Sequence, residues 1–454
     1  MSLASGANVS LGGRTGAAGN IKRSGAQSRI TFDVWTVLAF LYPLSQLAVF
    51  NIVGQLYLMD LLALPLLATF LTLPDAMERL RRIVPVLTLI GVWLLGQVIT
   101  DLVRETSPGD FLRGWAKIVF FALQLATLWL WLPRRRAYFA AFAIGLGVAA
   151  MYSVPPEFVG YEWKFGYDRA LIYITLGGLF FLSLALPRLL YLAPVVLLVL
   201  SFFLLLQSAR SAFGVLFIAA VVVAAALVFS QFIRWRQRLS AGLFAGLFLG
   251  GILVATGATT IYGAAVENGL LGREALVKYR DQTSGEVPLL LGGRTESLVA
   301  TQAIIDSPVI GHGSWARDAR YVALHHAIKV RLGLPIFDAE QGKRDLIPTH
   351  SHLFGAWVEA GIAGGIFWLW TLSIPIFALF YLLKRQELLA PLVAYCAVAM
   401  LWSVLFNPFG STERFFVAFQ LALLLWTVRA GGRSITLFAP VREALRSRKD
   451  RDRV

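Results

Sequence analysis

Uninterrupted apolar stretches of 17 or more residues recur along almost the whole chain, and each is long enough to cross roughly 30 Å of hydrocarbon as an α-helix. Twelve such spans are expected, near residues 33–52, 55–73, 83–101, 114–132, 136–153, 169–186, 188–206, 211–232, 239–262, 351–382, 387–406 and 413–430. Inside a bilayer only helices and closed barrels pair every backbone polar group. Runs this long lack the roughly ten-residue alternation of barrel strands, so the expected fold class is an all-α polytopic membrane protein. Composition agrees: the 454 residues are 57% hydrophobic and 15% charged, with mean hydropathy +0.69, outside the range of soluble domains.

Orientation follows from the short connections, because cytoplasmic ones are enriched in Lys and Arg. With the N-terminus inside, the cytoplasmic segments collect 24 of the 41 basic residues, among them Arg79, Arg81, Arg82, Arg134, Arg135, Arg136, Arg234, Arg236 and Arg238. The division is then a cytoplasmic tail expected to be disordered over 1–32, nine helices over 33–262, an outer loop domain over 263–349, three helices over 350–430, and a basic cytoplasmic tail over 431–454. The loop carries ten basic and ten acidic residues. The formal charge of +15 is thus mainly topological and attracted to anionic lipid, and no nucleic-acid partner is expected. The one cysteine, Cys396, excludes an intrachain disulfide.

Within the loop, "GGRTESLVATQAIIDSPVIGHG" reads as a glycine turn and a short helix over about 295–306, stopped at Ser307-Pro308. A second helix is expected over about 315–332, with Arg317, Tyr321, Leu324 and Ile328 on one face. The apolar segment from 350 to 382 would be about 50 Å long as one helix. Either it begins above the membrane or it breaks near Gly361, Gly364 and Gly365.

Charged residues within apolar spans are suspected of function by default. Asp60, Lys117, Arg210 and Glu359 all fall in the outer half, a pattern expected for a polar cavity facing the loop. Asp60 and Lys117 are most simply a buried structural ion pair. Arg210 stands on the outer side, against the positive-inside trend, which favours a functional role over an interfacial anchor. Arg294 precedes a helix start, where free N–H groups already favour an anion; a solvated loop arginine is the plainer alternative. All five histidines, His312, His325, His326, His350 and His352, lie in one window. Their spacings match no standard metal-ligand set, and His312 and His326 are expected at the surface. His350 and His352 stand where loop meets membrane, near a carboxylate, as a neutral imidazole that accepts a hydroxyl proton would.

The stretch "THSHLFGAWVEAGIAGG" resembles the histidine motif of the O-antigen ligase and O-antigen polymerase superfamily, in which a glutamate follows the histidine by nine residues and a glycine by eleven; counting back from Glu359 and Gly361 selects His350. "QSARSAF" is similar to that family's Ser-x-Arg at a helix start, and "GGRTESLVATQAIIDSPVIGHGSW" to its Arg, helix, Pro and Gly-x-Gly. Ser351 replaces the Asn of many members, and His352 follows it, so either histidine remains eligible. The resemblance implies a metal-independent, cofactor-free, inverting glycosyltransferase in a bacterial inner membrane, with both termini cytoplasmic and the active site periplasmic. A glycan would move from a polyprenyl (undecaprenyl) diphosphate donor to a lipid A core or other glycan acceptor. His350 would be the general base, and Arg210 and Arg294 would hold the diphosphate and stabilise its leaving charge. His352, Glu359, Arg317, Arg320 and Tyr321 would contact substrate, with Glu359 also orienting a histidine. The competing expectations are a transporter or flippase of lipid-linked glycan, which calls for midplane charges and matched halves, and an assembly factor that needs no base.

Overall fold

The computed structural model describes residues 33–52, 54–154, 160–207, 209–231, 262–269, 272–283, 294–334, 345–384 and 387–429, with isolated positions between 242 and 260 and at 336. Both tails, most of the span expected over 239–262 and the arginines at 234, 236 and 238 lie outside the described residues. The helices are α1 Val34–Leu44, α2 Leu58–Leu71, α3 Ala76–Val103, α4 Pro108–Trp131, α5 Arg136–Tyr152, α6 Glu162–Phe165, α7 Tyr167–Ala185, α8 Ala193–Leu206 and α9 Arg210–Gln231. After these come α10 Gly272–Thr283, α11 Glu296–Asp306, α12 Ala319–Arg331, α13 His352–Ala360, α14 Ile362–Thr371, α15 Ser373–Lys384, α16 Ala390–Phe406 and α17 Glu413–Arg429. Among the described residues six helical stretches are long and apolar enough to cross a membrane, and four shorter apolar helices accompany them. The chain is an α-helical membrane protein.

Three differences from the sequence expectation matter. First, the runs at 33–52 and 55–73 are shorter than expected, because the chain between them forms a small antiparallel hairpin, β1 Val49–Asn51 with β2 Gln55–Tyr57, turning at Gly54. Second, the long segment after the loop, expected either to begin above the membrane or to break near Gly361, breaks at Gly361 and, beyond that expectation, again at Leu372, which gives three helices. At Gly361, φ is +61° and ψ is −151°, a conformation closed to residues with a side chain, and a Cβ there would lie 2.0 Å from the Val309 carbonyl oxygen. Third, Asp60 and Lys117 are not partners. Asp60 accepts from Arg414 and Lys117 donates to Glu359, although α2 and α4 pack directly on one another.

Side-chain contacts sort the bundle into two ends. At one, Asp33 below α1 pairs with Arg135 at 3.1 Å, Asp75 below α3 with Arg134 at 2.8 Å, and Arg136 with Glu387 at 2.8 Å, while Trp129 Nε1 donates to the Arg79 carbonyl at 2.9 Å. This is the end that carries most of the described arginines of the short connections. At the other end Asp101 of α3 accepts from Ser314, Lys117 of α4 donates to Glu359 of α13, Ser351 before α13 donates to the Val404 carbonyl of α16, and Arg414 of α17 donates to Asp60 of α2. Between the two ends lies one continuous apolar core, with Trp93, Trp131, Trp368, Phe121 and Phe419 among its fully buried rings.

Candidate functional site

Residues 307–315 dock into the bundle end, and that docking organises everything near it. The carboxylate of Asp101, at the last turn of α3, is buried and accepts from Ser314 N at 2.6 Å, Ser314 Oγ at 2.7 Å, Trp115 Nε1 at 2.8 Å and Gln97 Nε2 at 3.4 Å. Arg104 donates to the Gly311 carbonyl at 2.9 Å and to Ser307 Oγ at 2.8 Å, and Thr100 donates to the Ile310 carbonyl. His312 N and Gly313 N donate to the Val358 and Glu359 carbonyls, at 2.7 and 3.0 Å, where α13 ends. Gly311, at φ +83°, would place a Cβ 2.5 Å from Gly361 N. The Gly-x-Gly of "VIGHGSW" therefore serves close backbone approach between loop and helix break. Replacing Asp101 with Ala orphans several of these donors at about 1–3 kcal/mol each. A docking loss of roughly 3 kcal/mol is expected to speed amide exchange over 307–315 by about 100-fold; unchanged protection in hydrogen–deuterium exchange would rule this out.

The last turn of α16 receives both the start of α11 and the segment before α13. Helix α11 starts as expected: the Arg294 carbonyl accepts from Ser297 N at 3.1 Å, and buried Thr295 lies 2.9 Å from His325 Nε2 of α12. The half-buried Arg294 guanidinium lies over Trp402 and Phe406, 5.9 Å from each ring centre, and burial presses its pKa below the usual arginine value. Ser351 is the N-cap of α13: its Oγ accepts from Phe354 N at 3.1 Å and donates to the Val404 carbonyl at 2.7 Å. His350 is half-buried in the non-helical stretch just before that cap. Next to the cap on the helical side, His352 is fully buried, with Nδ1 donating to the Asn407 carbonyl at 2.6 Å and its ring packed against both Trp368 and Phe409. A carbonyl only accepts, so Nδ1 carries the proton, and a neutral His352 ring presents a bare Nε2 to apolar surroundings.

The other expected site residues are placed differently. Arg210 is the first residue of α9, which packs on α16, and its guanidinium lies 5.2 Å from the Tyr262 ring centre. Glu359 accepts from Lys117 Nζ at 2.9 Å, so it braces α4 against α13. Arg317 precedes α12 in a short bridge to Leu346, 3.5 Å from Asp110 Oδ2. Arg320 is exposed and folded onto Asp318, Nη2 to Oδ2 at 2.6 Å. Tyr321 donates to Asp306 at 2.6 Å, and burial together with that carboxylate pushes its pKa up to about 12. Arg317 thus ties the loop domain to the start of α4, Tyr321 ties α12 to α11, and Arg320 makes a local contact at the start of α12. The geometry thus gathers Arg294, His350 and His352 at one helix end, with Arg210 on the neighbouring helix.

Asp101, Arg104 and Arg414 stand at the edges of apolar runs and were not singled out from the sequence. The spacing of Gln97 and Asp101, four apart on one helix face, was the available signal. Compared with protein-family models, curated proteins and solved structures, the chain matches none.

Proposed function

We propose that this protein is a membrane glycosyltransferase of the O-antigen ligase type, moving a glycan from a polyprenyl diphosphate donor to a lipid A core or other glycan acceptor, without metal or cofactor. The observation that carries the reading is the meeting of Arg294 with the His350–His352 segment on the last turn of α16, at the bundle end that bears the docked loop. In this reading the chain crosses the inner membrane twelve times, both tails are cytoplasmic, and residues 263–349 form the periplasmic loop between the ninth and tenth crossings.

The acceptor hydroxyl gives its proton to the His350 imidazole as its oxygen attacks the anomeric carbon. The bond from that carbon to the diphosphate oxygen breaks, and its electron pair leaves on the diphosphate. Arg294 and Arg210 face the growing negative charge and stabilise it through charge-assisted hydrogen bonds. One base and one leaving group imply inversion at the anomeric carbon. The aromatic faces of Trp402 and Phe406 behind Arg294 limit its hydration, which strengthens its pull on phosphate oxygen.

Transfer from a purified polyprenyl diphosphate-linked glycan, measured with the reconstituted protein, tests the reading. Arg294→Ala and Arg210→Ala are each expected to slow turnover by about 10²–10³-fold, and chelator to leave it unchanged. A wild-type protein that transfers nothing, or arginine variants with full turnover, would end the proposal. A single product indicates a ligase, a ladder a polymerase.

A further inference from the structure

The opposite end of the bundle holds a charge that its neighbours leave unsatisfied. Arg429, the last residue of α17, is only 8% exposed. Its Nη2 donates to the Arg82 carbonyl and its guanidinium lies 5.4 Å from the Trp129 ring centre, yet Nε and Nη1 are buried with no hydrogen-bond partner among the described residues. A cation over an indole is only weakly stabilised, whereas burying an unpaired charge is strongly penalised, so the ring alone does not compensate.

The surroundings deepen the imbalance. Arg79 and Arg134 share Asp75, Arg82 is paired with Glu78, and exposed Arg81 has no carboxylate partner among the described residues. Five guanidiniums (Arg79, Arg81, Arg82, Arg134 and Arg429) thus stand against two carboxylates. The two unpaired N–H positions of Arg429 are buried, so a phosphate meets them by displacing the packing that covers them, and a planar donor of this kind then matches its tetrahedral oxygens. Beside them α3 presents Met77, 58% exposed, and Val84, 46% exposed, an apolar face that suits acyl chains.

We infer that Arg429, with Arg81 and Arg82 at the start of α3, forms a binding site for the phosphate of an anionic phospholipid headgroup, the acyl chains lying along α3. The site is independent of the proposed transfer reaction, which belongs to the other end of the bundle. A free phosphate would meet the same guanidiniums but would leave the apolar face without a role.

Native mass spectrometry of the full-length, delipidated protein in detergent tests the site with three probes: phosphatidylglycerol, phosphatidylcholine, and sodium phosphate at constant ionic strength. Wild type is expected to bind phosphatidylglycerol on the order of tenfold more tightly than phosphatidylcholine. Arg429→Gln is expected to erase that preference, and Arg429→Lys, which keeps charge but loses the fork, to reduce it. Should the glutamine variant fail to fold, Arg81→Ala is expected to weaken the preference in its place. Equal binding of the two lipids by wild type, or an unchanged preference in Arg429→Gln, would overturn the proposal. A response to sodium phosphate equal to that for phosphatidylglycerol would overturn the lipid assignment.

Discussion

Replacing Asp60 with Ala is expected to destabilise the protein by about 3–5 kcal/mol, because it leaves the Arg414 charge buried and unpaired. Asp60 is fully buried and Arg414 is 4% exposed on its side chain; the two are joined by two hydrogen bonds, Nε to Oδ1 at 3.1 Å and the second from Nη2 to Oδ2. Asp60 also accepts from Tyr57 N at 3.0 Å, holding the hairpin to the start of α2. Without the carboxylate, Arg414 would keep the Gln55 carbonyl at 3.4 Å and the faces of Tyr57, Phe120 and Phe415. None of these carries a negative charge. Unfolding in mixed micelles, followed by circular dichroism, measures the loss. The decisive comparison is the double variant Asp60→Leu with Arg414→Leu, which removes both charges and is expected to be more stable than either single one. If the two single losses simply add in the double variant, the pair is not coupled and the account is wrong. Lys117→Met supplies the contrast: that lysine and Glu359 keep 15% and 19% of their side-chain surface exposed, so water shares the charge and a loss of only about 1 kcal/mol is expected.

Fold class was legible because apolar run length speaks directly to helix length in lipid, and residues 136–153, 169–186, 211–232, 387–406 and 413–430 fall within a few residues of α5, α7, α9, α16 and α17. The break at Gly361 was legible too, since a single helix from 350 to 382 would overrun the hydrocarbon. What the chain did not announce was partnership. Hydropathy marks Asp60 and Lys117 as charges in apolar runs, but which helix each one faces depends on packing angles that no periodicity encodes, and the actual partners lie 354 and 242 residues away. The hairpin at Val49–Tyr57 was hidden for a related reason: its aliphatic and aromatic residues suit a strand as well as a helix, and only the turn at Gly54 separates the two. In the site, the helix start after Arg294 followed from local signals, whereas the Ser351 cap before α13 was not among the sequence expectations. Neither was loop docking through Asp101, because it joins segments 213 residues apart.

The two adjacent histidines make the sharpest functional prediction. A histidine on the first turn of α13 is fixed by its neighbours: His352 is fully buried, hydrogen-bonded to the Asn407 carbonyl, and boxed by Trp368 and Phe409. His350 stands before the Ser351 cap, half-buried and outside the helix, where an imidazole reaches a substrate without dismantling the core. His350→Ala is therefore expected to lower turnover by about 10²–10⁴-fold while leaving thermal unfolding within a few degrees of wild type. The acidic limb of the pH profile, the mark of a base that must be unprotonated, should vanish with it, and added imidazole should restore part of the rate. His352→Ala is expected to act on stability instead, at about 3–5 kcal/mol for an excavated aromatic-sized side chain. His352→Phe separates the roles: it refills the space, leaves the Asn407 carbonyl without its donor at about 1–3 kcal/mol, and should keep turnover in the folded fraction. If His352→Phe folds but is inactive while His350→Ala turns over normally, the base is the buried histidine, and α13 must then open at its first turn for each acceptor, since nothing reaches Nε2 through Trp368 and Phe409 as they are packed.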